Sequence, residues 1–531
     1  MNFKNSISLF ALTLLVGQSS LLALTMASPV QAATKMTKAK TDNAVKASKA
    51  TGAPSAPVIP AAGELSVETI KASMPLEVWR KDAPKVPAPR PFVMPRVQTY
   101  TMGNGLTVQM VEDHRFPFLT MALGFHSGST SVPGDLIGLG SMTATLLTEG
   151  TTTRSSKEIA NEIDFIGGSL AANSDFDFTT VSGSALSDYG DRLIKLMSDV
   201  VLNPNFPQDE LALQKTNLIQ ELTMMRSNPD FLVGERFSKV LFGAHPYSIV
   251  APNETSINRI SQKDLIDYHA RTYIPNNAIM VVVGDFNTDK MKEKLSQNFG
   301  SQWKQGKVDT LSLPAPPTQE GRKIYLVDRP GSVQTSIKVG NVGVQRKDPD
   351  YFPLMVMNQI LGGAANARLF MNIREQKGYT YGAYSRMSAR QEKGSFSAEA
   401  NVRTEVTGPS LQEFIYELDR MRNTRVSDVE LNSAKNFLAG SFQLGLETQS
   451  GLVQRLLEAK LYNLPDDYLA TYADKVMAVK VDDVRTAARR LIDANNLVIT
   501  AVGDAKKIKG ELEMFAPVTV FDTQGKLSNS N

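Results

Sequence analysis

The chain has no cysteine among its 531 residues, two tryptophans and four histidines. The missing thiols exclude structural disulfides, thiolate metal sites and a lipid anchor on an N-terminal cysteine. The histidines are His114, His126, His245 and His269, and no two stand at ligand spacing, so the chain cannot assemble a histidine zinc site of its own. His114 and His126 flank a predicted strand and are expected at the surface or in turns. No G-x-S-x-G nucleophile elbow occurs. Ser301-x-x-Lys304 is an S-x-x-K match without companion motifs, and the helix expected after Gly362-Gly363 lacks the lysine of a phosphate-binding loop. Beyond the N-terminus no segment reads as a transmembrane span. Charged residues at 21% and aromatics at 7% are ordinary for a globular protein.

What is present begins with a leader. Lys4 precedes an apolar stretch, and Val30 and Ala32 stand where a signal peptidase reads its −3 and −1 positions. Residues 1–32 are therefore expected to be a signal peptide and the protein to be periplasmic in a bacterium. The alternative is an uncleaved membrane anchor, which Gly17-Gln18-Ser19-Ser20 interrupts. Residues 33–94, rich in Pro, Ala and Lys, read as a disordered or extended basic tether. Of the formal +3, the leader carries +1 and residues 33–90 carry +5, leaving −3 for residues 91–531. Basic charge confined to a tail gives no support to nucleic-acid binding, and membrane contact is expected only through the N-terminal segment.

From about Val97, strand and helix patterns alternate. Leu106–Val111 and Phe118–Phe125 read as strands. Leu136–Leu147 reads as a helix stopped by Gly150, Ser155-x-x-Glu158 as a capping box, and Asp209–Arg226 as a longer amphipathic helix. The decisive feature is a repeat. Asn276-Asn277 and the strand ending at Gly284-Asp285 recur as Asn495-Asn496 and a strand ending at Gly503-Asp504, an offset of 219 at the final aspartate. Glu210-Leu211 recurs as Glu430-Leu431 at an offset of 220. The chain reads as α+β, a tandem pair of homologous units at 95–312 and 323–531 joined by a linker at 313–322. Each unit is expected to be a β-sheet packed with helices.

In the second unit, Leu361-Gly362-Gly363 leads into Ala367-Arg368-Leu369-Phe370 and Ile373-Arg374-Glu375-Gln376-Lys377-Gly378-Tyr379-Thr380-Tyr381. Physically this is a glycine turn, a helix with Leu369 and Ile373 inward, a cap at Gly378 and a strand. Alternation places Tyr379, Tyr381 and Ala383 on one strand face. Arg374 and Tyr381 then converge across the corner as a cation and a phenol suited to a peptide carbonyl or its oxyanion. The alternative is a helix-end arginine and a core tyrosine.

These residues resemble the signature of the insulinase/pitrilysin family of inverted zinc metallopeptidases, in the two-repeat form of mitochondrial processing peptidase. Asn104-Gly105-Leu106, Leu147–Arg154 and His245-Pro246-Tyr247 extend the resemblance over nearly everything from residue 97 onward. It implies a chain forming half of a clamshell, with Arg374 and Tyr381 binding substrate backbone and stabilising the tetrahedral intermediate. Active relatives carry H-x-x-E-H in the first repeat. Here Ser141 and Thr145 stand at the histidine positions, Ala144 at the catalytic glutamate and Glu221 at the third ligand, with Gln214 seven residues before it. The implied function is that of a non-catalytic subunit of a periplasmic metallopeptidase. It would hold no cofactor itself and would act on unfolded peptides beside a partner with intact H-x-x-E-H and zinc. The alternative is a peptide-binding or scaffolding homodimer.

Overall fold

A computed structural model describes residues 93–528. The expected leader and nearly all of the tether lie outside the described residues. Among those described, no helix is long and apolar enough to cross a membrane.

Six strands make the first sheet: β1 (Gln98–Thr101), β2 (Thr107–Glu112), β3 (Phe118–Phe125), β4 (Ser169–Ser174), β5 (Thr179–Leu186) and β6 (Ala278–Gly284), in the order β1-β2-β6-β3-β5-β4. Strand β6 is buried along its whole length, as the uninterrupted apolar run Ala278–Val283 requires of a central strand. Four helices of this repeat position the site: α1 (Leu139–Leu146), α2 (Ser156–Phe165), α3 (Gln208–Ser227) and α4 (Pro229–Phe242). The Ser155 box forms as expected, with Ser155 Oγ accepting from Glu158 N and the Glu158 carboxylate accepting from Ser155 N. Helix α1 starts three residues later than expected. Gly138 has φ +100°, which ends the preceding turn at the helix boundary, and α1 stops at Leu146, before Gly150.

The second sheet repeats the plan with β7 (Lys323–Asp328), β8 (Gln334–Val342), β9 (Thr380–Ser388), β10 (Ser395–Arg403), β11 (Val498–Gly503) and β12 (Val518–Phe521), in the order β12-β7-β11-β8-β10-β9. The repeated Asn-Asn…Gly-Asp segments are thus the equivalent strands β6 and β11. The sheets differ at one edge. β1 runs antiparallel to β2, whereas β12, from the far end of the chain, runs parallel to β7. The helices of this half that matter here are α5 (Tyr351–Gly362), α6 (Thr407–Asn423), α7 (Asp428–Leu446) and α8 (Gln449–Leu461), with a π-helix at Phe370–Gln376.

The repeats exchange equivalent helices. α4 lies on β8 and β11 of the second sheet, and α8 lies on β3 and β6 of the first. Glycines open space for each crossing. A Cβ at Gly124 of β3 would meet Leu457 and Leu461 at 2.9 Å, and one at Gly340 of β8 would meet Phe237 at 3.0 Å. Leu452, Leu456 and Leu457 accordingly join Ala122, Val281 and Val283 in one buried cluster. The His245-Pro246-Tyr247 turn adds a polar joint. Tyr247 Oη donates to Asp177 Oδ1 at 2.6 Å and accepts from the backbone N–H of Glu392 at 3.2 Å. The Arg390 guanidinium lies 4.0 Å over Phe176 and 4.7 Å over Tyr247. Greasy helix faces and this joint bind the two sheets into one body.

Candidate functional site

The first-repeat positions lie on two touching helices, α1 and α3. Leu139, Met142 and Leu146 bury one stripe of α1. Ser141 and Thr145, one turn apart, form an exposed stripe, which is the geometry two ligating histidines would need. The chemistry is absent. Ser141 Oγ donates to the Gly138 carbonyl at 3.0 Å, and Ala144 is buried with no donor atom. Glu221 is half-buried on α3 and makes no hydrogen bond or ion pair with the described residues; Gln214 is likewise half-buried. A hydroxyl, a methyl and a lone carboxylate do not fit zinc. Among the described residues, no three His, Asp or Glu side chains gather as a metal-binding group.

The histidines are employed elsewhere. His245 Nδ1 accepts from Tyr247 N at 3.1 Å within its turn. His269 stacks on Tyr273 at 4.7 Å and donates from Nε2 to the Val201 carbonyl at 2.8 Å; burial pulls its pKa down to about 4. His114, exposed as expected, pairs with Asp285 at 2.6 Å. His126 stands in the bend that follows β3, half-buried against the ring of Phe178 at 5.7 Å.

In the second repeat, Leu369 and Ile373 are buried as the helical spacing required. The helix is π rather than α. Such widened turns occur often at functional sites. Gly378 closes it at φ +64°, donating its N–H to the Arg374 carbonyl at 3.0 Å. Arg374 stacks its guanidinium 4.7 Å over Phe370, pairs with Glu375 at 3.1 Å, and leaves 44% of its side chain exposed. Phe370 in turn packs against Tyr384 of β9, with ring centroids 5.7 Å apart.

Tyr381 is 87% exposed, on the strand's outer face. Simple alternation placed it with Ala383, but Ala383 is fully buried. A bulge explains the difference. Ala400 pairs with Ala383 and Val402 with Thr380, so Tyr381 and Gly382 both stand opposite Asn401. Thr380 holds the bulge, its hydroxyl donating to the Asn401 carbonyl at 2.6 Å and accepting from Gly382 N at 3.1 Å. The corner therefore presents a cation and a phenol, neither hydrogen-bonded nor ion-paired to a buried group. Sequence reasoning missed Phe370, Thr380 and Tyr384. Phe370 lies four residues before Arg374, a facing position on a helix, and was within reach of that rule.

Comparison with known proteins agrees with the geometry. The insulinase (peptidase family M16) model matches residues 107–251, and the peptidase M16 inactive-domain model matches residues 259–438. An uncharacterised zinc protease of Bacillus subtilis, YmxG, is 25% identical over 74% of this chain and 95% of its own length. A Helicobacter pylori relative, called a non-peptidase homologue, is 24% identical over 75% of this chain and 92% of its own. Among solved structures, a peptidase M16 inactive domain from Pseudomonas fluorescens has a TM-score of 0.72 and 28% identity, over 77% of this chain and 98% of that one. A chain of complex III2 from Candida albicans shares the fold, with a TM-score of 0.65, 16% identity and coverage of 79% of this chain and all of that one. With two six-stranded sheets matching the family's two domains, the chain belongs to the peptidase M16 (insulinase) family.

Proposed function

We propose that this chain is a zinc-free, non-catalytic subunit of an exported M16 metallopeptidase, lending Arg374 and Tyr381 to the site of a partner that carries H-x-x-E-H. One observation carries the reading. The first repeat keeps the zinc helix without its ligands, while the second keeps an exposed guanidinium and phenol on a braced corner. Both groups donate hydrogen bonds, so they suit a peptide carbonyl and the oxyanion it becomes. β4 and β9 each form one edge of their sheets, and β4 (Ser-Leu-Ala-Ala-Asn-Ser) has neither the lysine nor the proline that blunts an edge. Unfolded peptide joins such an edge as an added strand. On β9, an incoming strand passes Tyr381. Hydrolysis itself belongs to the partner.

The test mixes the purified chain with an M16 subunit of the same genome that has the intact motif. The mixture is expected to cleave a quenched fluorescent peptide, and the chain alone is not. Tyr381→Phe should lower kcat about 100-fold, the scale of losing one oxyanion donor, with subunit association unchanged. Chelator-sensitive cleavage by the chain alone would sink the reading. The Helicobacter relative is called a non-peptidase homologue, and a second reading takes this chain as a peptide-binding or scaffolding homodimer without proteolytic role. That reading predicts peptide binding with no cleavage in any mixture.

A further inference from the structure

Arg374 is held at the corner by a row of stacked groups that ends on β9, two residues past the bulge. Its guanidinium lies 4.7 Å over the ring of Phe370, and Phe370, buried, meets the ring of Tyr384 with centroids 5.7 Å apart. Among the described residues, Tyr384 is the one aromatic ring packed against Phe370. Tyr384 is 41% exposed and its hydroxyl makes no hydrogen bond with the described residues, so packing alone holds the ring.

The seat of that ring is Gly382. The two residues share a strand face, and a Cβ at Gly382 would stand 2.7 Å from Tyr384 Cε2 and 3.1 Å from its Oη. Any side chain at 382 would push the ring away. Gly382 does not have a positive φ, so backbone conformation makes no demand for glycine there. Thr380 latches the bulge through the backbone N–H of Gly382, a group that any residue but proline offers. Glycine weakens a strand and recurs where another group must come close, which here is the Tyr384 ring.

A solvent-facing arginine has many rotamers, whereas an oxyanion is best met by donors fixed before its charge develops. The ion pair of Arg374 with Glu375 joins two half-exposed neighbours and fixes little. We infer that Tyr384 is a positioning residue for Arg374, its ring lying on Gly382 and backing Phe370 so that the guanidinium is held in one plane at the corner. The ring acts, not the phenol hydroxyl. The inference rests on the reading of Arg374 as a group that meets the peptide carbonyl and its oxyanion.

The experiment has two arms, both with the full-length chain. In the first, the chain alone carries ¹⁵N-arginine, and the Arg374 Nε–H signal, displaced by the ring current of Phe370, is assigned through Arg374→Lys. Tyr384→Ala should return that signal to the position of a free arginine at unchanged Tm. Gly382→Ala, which removes no functional group and crowds the ring, should do the same. Should Gly382→Ala fail to fold, Tyr384→Ala decides this arm. A signal unmoved in Tyr384→Ala overturns the inference, whatever the partner does.

In the second arm the chain is mixed with the intact-motif subunit. Tyr384→Ala should lower kcat about tenfold with KM within about twofold, a smaller loss than for Tyr381→Phe because the guanidinium charge remains. Tyr384→Phe, which keeps the ring, should restore kcat. On an Arg374→Ala background, Tyr384→Ala should cost nothing further, because no guanidinium is left to position. Equal losses on both backgrounds would make Tyr384 merely structural and overturn the inference, as would a Tyr384→Phe loss equal to that of Tyr384→Ala. Absence of cleavage with the unaltered chain would sink the shared-site reading instead, and the first arm would still decide what holds the guanidinium.

Discussion

The two repeats share one plan but for an edge strand, and they differ at the positions that the family resemblance marks for chemistry. In the first, Ser141 and Thr145, which the family resemblance sets at ligand positions, lie on the exposed stripe of α1, while packing rests on Leu139, Met142 and Leu146. On such a stripe a histidine can be replaced without opening a cavity, so a helix of this kind can outlive a metal-binding role. In the second, Arg374 and Tyr381 are also exposed, but their scaffold is bound to buried polar structure. The π-helix is tied to α6 and α7 through Asn372–Glu417 and Arg368–Glu430. Drift is cheap where function and core occupy different stripes of a helix. It costs more where a functional corner is braced by a buried network.

The exchanged helices are where that comparison breaks hardest. Phe237 of α4 and Leu457 of α8 are both buried against the opposite repeat's sheet. Phe237→Ala should cost about 3–5 kcal/mol and Leu457→Ala about 2–5 kcal/mol. Because each helix is shared, urea unfolding of either variant should remain a single transition for both sheets. Separate transitions would show that the repeats are independent domains.

Acid should strike the repeats unequally. Burial holds His269 at about 4, while in the unfolded chain it returns to about 6.5. Between those values the unfolded state binds the extra proton. The stabilisation from His269 is therefore complete above about pH 6.5 and lost as pH falls through about 4, a loss of about 3 kcal/mol. At the offset of 219 set by the neighbouring Asn-Asn landmark, the equivalent position is Ala488, which has no titratable side chain. His269→Gln should flatten the difference in unfolding free energy between pH 7.5 and pH 4.5. An unchanged difference would place acid sensitivity elsewhere.

If α1 and α3 truly preserve a metal-binding frame, ligands restored to it should work. Ser141→His with Thr145→His puts two imidazoles one turn apart on the exposed stripe, beside the helix that carries Glu221. Zinc affinity by calorimetry should rise at least about 100-fold over the parent chain, without loss of Tm. No gain would mean that the helices have moved apart as well as changed sequence.

Sequence alone carried far because each strong signal was local or periodic. β3 occupies Phe118–Phe125 as its apolar run implied, and the long helix of the first repeat, Gln208–Ser227, overshoots its expected span by one residue at each end. The failures came where one residue changes the count. A bulge at Tyr381–Gly382 reverses the strand's facing, the π-helix widens the turn before it, and Gly138 delays α1. None of these leaves a period of its own. The contacts that unite the repeats were invisible for another reason. Tyr247–Glu392 and Asp177–Gln391 join residues 145 and 214 positions apart, and no local pattern pairs them.

The smallest effect compares two boxes of the same design. Ser155 caps α2 through Glu158, and Ser427 caps α7 through Glu430, each serine accepting from the backbone N–H three residues on. Removing either hydroxyl should cost about 1 kcal/mol. The carboxylates are not equivalent. The side-chain partners of Glu158 end at its own cap, whereas Glu430 also holds the buried Arg368. Ser155→Ala and Ser427→Ala should therefore give equal losses by urea denaturation, because the Arg368 grip keeps the Glu430 carboxylate in place when Ser427 Oγ is gone. A distinctly larger loss for Ser427→Ala would mean that the serine orients the carboxylate for Arg368. The cap and the Arg368–Glu430 pair would then be one unit, and the contrast between a dispensable first-repeat site and a braced second-repeat corner would reach as far as the helix ends.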